Sequence, residues 1–369
     1  MKETRLKPLR IKGKTCAPII QGGMGVGVSL ADLASAVANE DGIGTISSTC
    51  IDAIVSQRQG RKFDMRAAAY WEISCAKEKS KKGRGLIGIN IMVAVVRYYT
   101  DSVLGSLEAD VDAIFCGAGL PLSLPTIKDP KDTALIPIIS SGRALEIICK
   151  RWEKVGYRPD AVVLEGPLAG GHLGFKYQDI FKEENTLENL FPAVKEVAMR
   201  YGNFPVIVAG GIYTHEDIVE WQRKGADGVQ MGTRFLATIE SSATQQYKDA
   251  VISCSEKDIA VADPAFHSPG SPCGLPFRVI TTSPMFQNSH LRKPLCNKGY
   301  VLRPDKNGVL FCPAKEDCIN NLCICNALLA SAGYEKNEYP LFTVGTNAYR
   351  VKEIISVKTL MDELKGLTE

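Results

Sequence analysis

A histidine among paired glycines, at the end of a buried apolar run, is the feature of this sequence richest in chemistry. In AVVLEGPLAGGHLG (161–174), Ala161 to Leu164 read as a strand, and a glycine-rich turn carrying His172 follows. His172 is one of four histidines in 369 residues. An imidazole ordinarily titrates near neutral pH, so it can take up and release a proton during turnover. Glycines let a backbone approach a flat ring or a phosphate where a Cβ would clash. Taken alone, the run fits an exposed loop histidine as well as a catalytic one. The elements that would position it have to decide.

Short apolar runs ending in glycine or a small polar residue recur along the chain. They are Ala17–Gly23, Ile43–Ser48, Leu86–Ile91, Ala113–Gly117, Leu135–Ser140, Ala161–Gly166, Pro205–Gly211 and Gly228–Gly232. They lack strict polar/apolar alternation, as expected of parallel strands covered on both faces. Helical periodicity lies between several of them, at Leu30–Asn39, Ala144–Val155, Leu187–Tyr201 and Glu216–Lys224. Thr214 with Asp217 predicts an N-cap for the last, and Gly225 its end. Eight strand–helix units without a topological break predict a (β/α)₈ TIM barrel over residues 1–255 rather than an open doubly wound sheet. From residue 256 to 369 the composition turns rich in Pro, Ser and Cys. Phe266, Phe277, Phe286 and Phe311 in that stretch need burial. It reads as an appended segment or lid on the barrel, with helices near Asn326–Ala332 and Lys352–Leu367.

Strand counting places His172 after the sixth strand, at the barrel face where such folds carry out chemistry. The seventh strand ends in Ala209-Gly210-Gly211-Ile212 and the eighth in Gln230-Met231-Gly232-Thr233-Arg234. Loops after these two strands are the usual phosphate site of a barrel, so a phosphorylated ligand is expected there. The first strand ends in Gln21-Gly22-Gly23-Met24, where paired glycines invite a flat ring, although Met24 also fits a core residue. Asn90 sits among apolar residues of the third strand and must bond either a heterocycle or a neighbouring backbone.

A net charge of +3 and the lack of a basic, aromatic-studded stripe argue against nucleic-acid binding. The basic cluster Lys79–Lys82 reads as a solvated helix end. The N-terminal residues lack the apolar core of a secretory signal, and the run Leu86–Val96 is too short and polar to span a membrane. A cytoplasmic enzyme with a small-molecule substrate is expected, and the oligomeric state is left open. Of twelve cysteines, five crowd between Cys296 and Cys325. The spacing of Cys296, Cys312, Cys318, Cys323 and Cys325 lacks paired zinc knuckles, so reduced thiols are expected there rather than zinc or an iron–sulfur cluster.

PIIQGGMG, GINIM, EGPLAGGHLG, VIVAGGI and GVQMGTRF occur in this order over roughly residues 15–240. Together they resemble the nitronate monooxygenases, once called 2-nitropropane dioxygenases. The flavin-dependent enoyl-acyl carrier protein reductases share that superfamily. The resemblance implies FMN at the carboxyl face of the barrel. It implies that Gly22, Gly23 and Met24 line the flavin ring, that Asn90 bonds it, and that Gly170 and Gly171 pass close by. Gly210 and Gly211, with Gly232 and Thr233, would hold the phosphate, and Ala209, Gln230 and Met231 of the same two strand ends would also contact the cofactor. His172 would be the general base or would orient the substrate. The implied reaction is oxidation of an alkyl nitronate, or a similar carbanion-like substrate, by O₂. Two alternatives stand beside it: an NAD(P)H-dependent reductase of an enoyl thioester or quinone, and a barrel that binds a phosphorylated ligand without redox chemistry. One departure matters. Many relatives carry an acidic residue where this chain has Leu168, with Pro167 before it. Glu165 is retained and reads either as a structural carboxylate of the barrel rim, the preferred reading, or as a partner supporting the site residues.

Overall fold

A computed structural model describes residues 6–263, 269–288 and 298–368. An N-terminal hairpin, β1 (Leu9–Ile11) and β2 (Lys14–Cys16), precedes the barrel. The barrel strands are β3 (Ile19–Gln21), β4 (Ile43–Ser47), β5 (Leu86–Met92), β6 (Ala113–Gly117), β7 (Ala134–Ile139), β8 (Val162–Glu165), β10 (Val206–Ala209) and β11 (Gly228–Met231). They pair in parallel and in chain order, and β11 returns to β3 to close the ring. Each of the eight predicted runs holds one of these strands. The short strand between β8 and β10, β9 (Gly171–His172), leaves the barrel altogether.

Successive side chains of a strand point to opposite faces, so parity decides which residues enter the barrel. Ile20, Ile43, Phe115, Ile136, Val163 and Ile207 point inward and fill it. Leu9, Ile11 and Cys16 of the hairpin join the same cluster and plug the amino-terminal end. Their neighbours Ile19, Ile114, Leu135, Leu164 and Val208 point outward and pack under the helices. The same parity aims Asn90 and Glu165 inward, one step above the apolar layers. At the plugged end, Asp112, Asp160 and Asp227 each precede a strand and accept the N–H of Ile87, Leu135 or Val206 on the strand alongside. The carboxyl end is left open for a site.

The helices Ala31–Asn39, Gly142–Glu153, Leu187–Arg200 and His215–Lys224 match the predicted periodicity. Thr214 and Asp217 form a reciprocal capping box on the last of these, and Gly225 ends it with φ +100°. Three more helices, Ile51–Gln59, Met65–Lys79 and Tyr99–Glu108, go beyond those the periodicity predicts. The Lys79–Lys82 cluster lies where Met65–Lys79 ends. No helix among the described residues is long and apolar enough to cross a membrane.

The C-terminal segment folds onto the open end. Strands β12 (Ile259–Ala262) and β13 (Phe277–Ile280) are antiparallel, and β13 pairs with β9 so that Phe277 faces His172 and Arg278 faces Gly171. The sequence pattern reads residues 166–174 as a turn; the structure instead makes Gly171–His172 the edge of this lid sheet. The backbone partners come from a segment more than a hundred residues away, which no local pattern encodes. Helix Ile324–Ser331 covers the mouth, and helix Val357–Leu364 packs beside Ala31–Asn39. Phe277 is buried and Phe286 partly so, Phe311 lies half-buried on a peripheral strand, and Phe266 is outside the described residues.

Candidate active site

Between barrel and lid lies a cavity of about 260 Å³. The first strand's loop contributes Gly22, Gly23 and Met24, and β5 contributes Asn90. Gly170, Gly171 and His172 come from the segment leading to the lid sheet. Ala209, Gly210 and Gly211 follow β10, and Gln230, Met231, Gly232 and Thr233 end β11. The structure thus brings every residue singled out by the sequence into one wall, although residues 22 and 233 are far apart along the chain. Leu328 and Cys325 of the lid helix, with Val344 and Gly345, close the remaining side.

The glycines differ in what they do. A Cβ on Gly23 would stand 2.3 Å from the Asn90 Cβ, and one on Gly22 would press on the Gln230 side chain at 3.1 Å. Bare backbone here makes room for two amides. Neither amide has a hydrogen-bonding partner among the described residues, and both line the cavity. That leaves them for a ligand, since polar groups shielded from water otherwise find partners in the protein. Gly170 has another reason: a Cβ there would stand 2.6 Å from the Gly345 nitrogen, so its bareness lets the lid backbone dock. Gly210 (φ +95°) and Gly211 (φ +87°) adopt left-handed backbone, which a side chain disfavours. The N–H groups of Gly210, Gly211, Gly232 and Thr233 make no bond to protein acceptors among the described residues, as an anion cradle requires. The Thr233 hydroxyl already accepts the Gly345 N–H at 2.9 Å, so it anchors the lid as well.

His172 is held from three sides. Its Nε2 lies 2.7 Å from the Ser271 hydroxyl, and its ring packs against Phe277 with centroids 4.5 Å apart. Pairing of β9 with β13 fixes its backbone. Its Nδ1 has no partner among the described residues. Buried Arg278 donates to the carbonyls of Pro167 (2.8 Å) and Ala169, gripping the stretch before the glycine pair. Among the described residues no carboxylate pairs with it, and burial alone pulls its guanidinium down to about 10. Leu168, the departure from the family pattern, lines the cavity while its carbonyl accepts the Thr346 N–H.

Glu165 makes none of the bonds that a structural rim carboxylate would make among the described residues, and of its two sequence readings the one beside the site is the nearer. Strand parity points it into the barrel, where it lines the cavity with no hydrogen-bonding partner among the described residues. Burial pushes its carboxyl up to about 7, against an opposing pull from His172. A second, more open cavity of about 670 Å³ lies against the first, and Glu165, His172, Ala118 and Ile138 line both. A base and a carboxyl thus stand in the partition between two chambers. Ser271 and Arg278 escaped sequence reasoning, and Phe277 reads there only as needing burial. They lie about a hundred residues from His172, and nothing local marks them.

The nitronate monooxygenase family model matches residues 7–366, nearly the whole chain. The chain belongs to the nitronate monooxygenase family. A probable nitronate monooxygenase of Staphylococcus aureus is 27% identical over 280 residues, covering 66% of this chain and 71% of that protein. One from Staphylococcus saprophyticus is 28% identical over 265 residues, covering 67% and 72%. Among solved structures, FabK from Thermotoga maritima superposes with a TM-score of 0.65 at 26% identity, over 94% of this chain and 91% of that one. Nitroalkane oxidase from Streptomyces ansochromogenes has the same fold, with a TM-score of 0.63 at 21% identity over 95% and 94%. As a member of this family the chain is an oxidoreductase. Its TIM barrel and the order of its motifs agree with the expectations from sequence.

Among the described residues there is no group of three or more side chains placed to hold a metal ion. Cys312, Cys318, Cys323 and Cys325 are free thiols, and Cys296 lies outside the described residues. Burial pushes the Cys325 thiol up to about 12.

Proposed function

We propose that the enzyme holds FMN in the cavity between barrel and lid and oxidises an alkyl nitronate or a similar carbanion-like substrate with O₂. The observation that carries this reading is the set of unpartnered polar groups that line one cavity. The amides of Asn90 and Gln230 stand beside bare glycine backbone, which suits a flat heterocycle with hydrogen-bonding edges. The free N–H groups of Gly210, Gly211, Gly232 and Thr233 suit a phosphate. When bound, the flavin supplies the redox chemistry, and the protein supplies orientation and electrostatics.

The chain's own residues then act on the substrate, which enters through the second cavity. His172 is fixed by Ser271 and Phe277, so its free Nδ1 keeps one direction. It holds a proton toward an oxygen of the nitronate, or takes one from the carbon beside a nitro group. Glu165 faces the same partition. In its neutral form it donates a hydrogen bond to an anionic substrate, and once ionised it repels one. Ile138, Leu275 and Pro276 give the second cavity an apolar wall against which the substrate's alkyl part can pack.

The likeness to FabK favours a second reading, an NAD(P)H-dependent reductase of an enoyl thioester. Anaerobic titration of the FMN-loaded protein separates the two. Nitronate should bleach the visible flavin absorbance, and readmitted O₂ should restore it. Bleaching by NADH or NADPH but not by nitronate would establish the reductase instead. A chain that takes up no FMN would overturn the cofactor assignment.

Gly23→Ala should weaken FMN binding about fivefold, because the added Cβ displaces Asn90 and one amide hydrogen bond is worth about 1 kcal/mol. Quenching of FMN fluorescence on titration measures this. Undiminished affinity would show that Asn90 does not hold the ligand.

A further inference from the structure

The hydrogen bond from His172 to Ser271 does not end there. The Ser271 hydroxyl also lies 3.0 Å from the Cys273 thiol, and the Cys273 N–H reaches the same oxygen at 3.3 Å. Ser271 is fully buried, whereas Cys273 is half-buried. The turn that carries them is fixed on both sides. Gly274 N–H donates to Ser271 C=O, Leu322 N–H to Gly270 C=O, and Leu173 N–H to Pro276 C=O. A thiol, a hydroxyl and an imidazole therefore form a fixed chain of three groups. A hydroxyl both donates and accepts, so by exchanging its two bonds Ser271 can pass the thiol proton to Nε2. The products are a thiolate that accepts from Ser271 and an imidazolium that donates to it.

The other thiols behave differently. Burial raises all seven of the remaining cysteines whose ionisation is displaced. Burial raises Cys273 too, but the charge of His172 and hydrogen bonding from His172 and Ser271 outweigh it and bring the thiol down to about 7. A route for small reagents lies alongside. Gly274, Leu275, Pro276 and His172 line the open second cavity.

We propose that Cys273 is a modification site for hydroperoxides, wired through Ser271 to His172, and that its oxidation disables His172. The thiolate sulfur attacks one oxygen of the peroxide. An S–O bond forms and the O–O bond breaks. Sulfur loses two electrons and becomes a sulfenic acid, and the departing hydroxide takes the imidazolium proton to leave as water. His172 then has no thiolate to share a proton with, and Ser271 faces an added oxygen. This inference rests on the placement of His172 and not on the flavin reading, because the modification needs no turnover.

The test is dimedone trapping of sulfenic acid in the full-length protein, after brief exposure to dilute hydrogen peroxide, with each cysteine quantified by peptide mass spectrometry. Cys75, also half-buried, is the internal reference. At pH 7 a thiol lowered to about 7 is about 50-fold more ionised than an ordinary one at 9.0, and its weaker nucleophilicity takes back about six- to tenfold. Cys273 should therefore react about five- to eightfold faster than an ordinary thiol, and faster still than Cys75, which burial raises above it. His172→Asn and Ser271→Ala should each remove this advantage while the Cys75 rate stays unchanged, which also reports an intact fold. Loss of turnover in the unmodified sequence should track Cys273 labelling, and Cys273→Ser should keep its own untreated rate after the same exposure. A wild-type Cys273 that labels no faster than Cys75 would overturn the proposal. So would labelling indifferent to both substitutions.

Discussion

His172→Asn should lower nitronate oxidation by roughly 10²–10⁴-fold, the range over which a positioned proton-transfer group contributes, while FMN binding stays close to normal. Asparagine fits the space and can still reach Ser271, but it does not exchange a proton near neutral pH. The residues that would hold the flavin lie on other strands, so the cofactor should report an intact site. Activity and FMN affinity measured on the same preparation decide the matter. Turnover within threefold or so of the unsubstituted enzyme would remove His172 from the chemistry. Joint loss of flavin and activity would make it a packing residue against Phe277 instead.

The second large effect concerns Glu165 and appears in stability as well as rate. Its folded-state carboxyl titrates at about 7, raised by burial from an ordinary 4.5. Below 4.5 the group is neutral whether the chain is folded or not, and it costs nothing. As pH rises from there to 7, the unfolded chain ionises freely while the folded one resists, so stability falls. Above 7 the fold carries the whole penalty, on the order of 3 kcal/mol for a gap of this size. Glu165→Gln is neutral at every pH. In the FMN-free protein it should match the unsubstituted chain below about pH 4 in urea unfolding and exceed it at pH 8 by up to about 3 kcal/mol. Parallel pH profiles would show that the carboxyl is solvated in both states. With substrate the same group acts in the opposite sense. The neutral acid favours an anionic nitronate, so the unsubstituted enzyme should lose affinity for it above pH 7, and the Gln variant should lose that dependence.

Most of the barrel is legible in the chain because its determinants are local. A run such as Ala113–Gly117 buries both faces and stops at glycine, and the structure returns a strand with those bounds. Thr214, Asp217 and Gly225 specify the start and end of a helix through bonds that span a few residues. The helix Met65–Lys79 is harder to read. It packs between Ala31–Asn39 and Tyr99–Glu108 and buries Glu72 against Arg58, so its apolar stripe is interrupted by a charge whose partner is on another helix.

The site divides along the same line. Strand order and glycine spacing alone put His172, Gly22, Gly23, Asn90 and the β10 and β11 loops at one end of a barrel, since closing eight parallel strands brings all their carboxyl ends together. Tertiary structure decided what surrounds them. Register aimed Glu165 into the barrel as a half-buried acid facing the cavity. Lid pairing turned the GGH turn into a strand. The chain's return over the barrel mouth placed Ser271, Cys273, Phe277 and Arg278 against His172 and its loop. Those contacts join segments about a hundred residues apart, and their energies depend on burial and on which group faces which. Neither exists until the chain has folded.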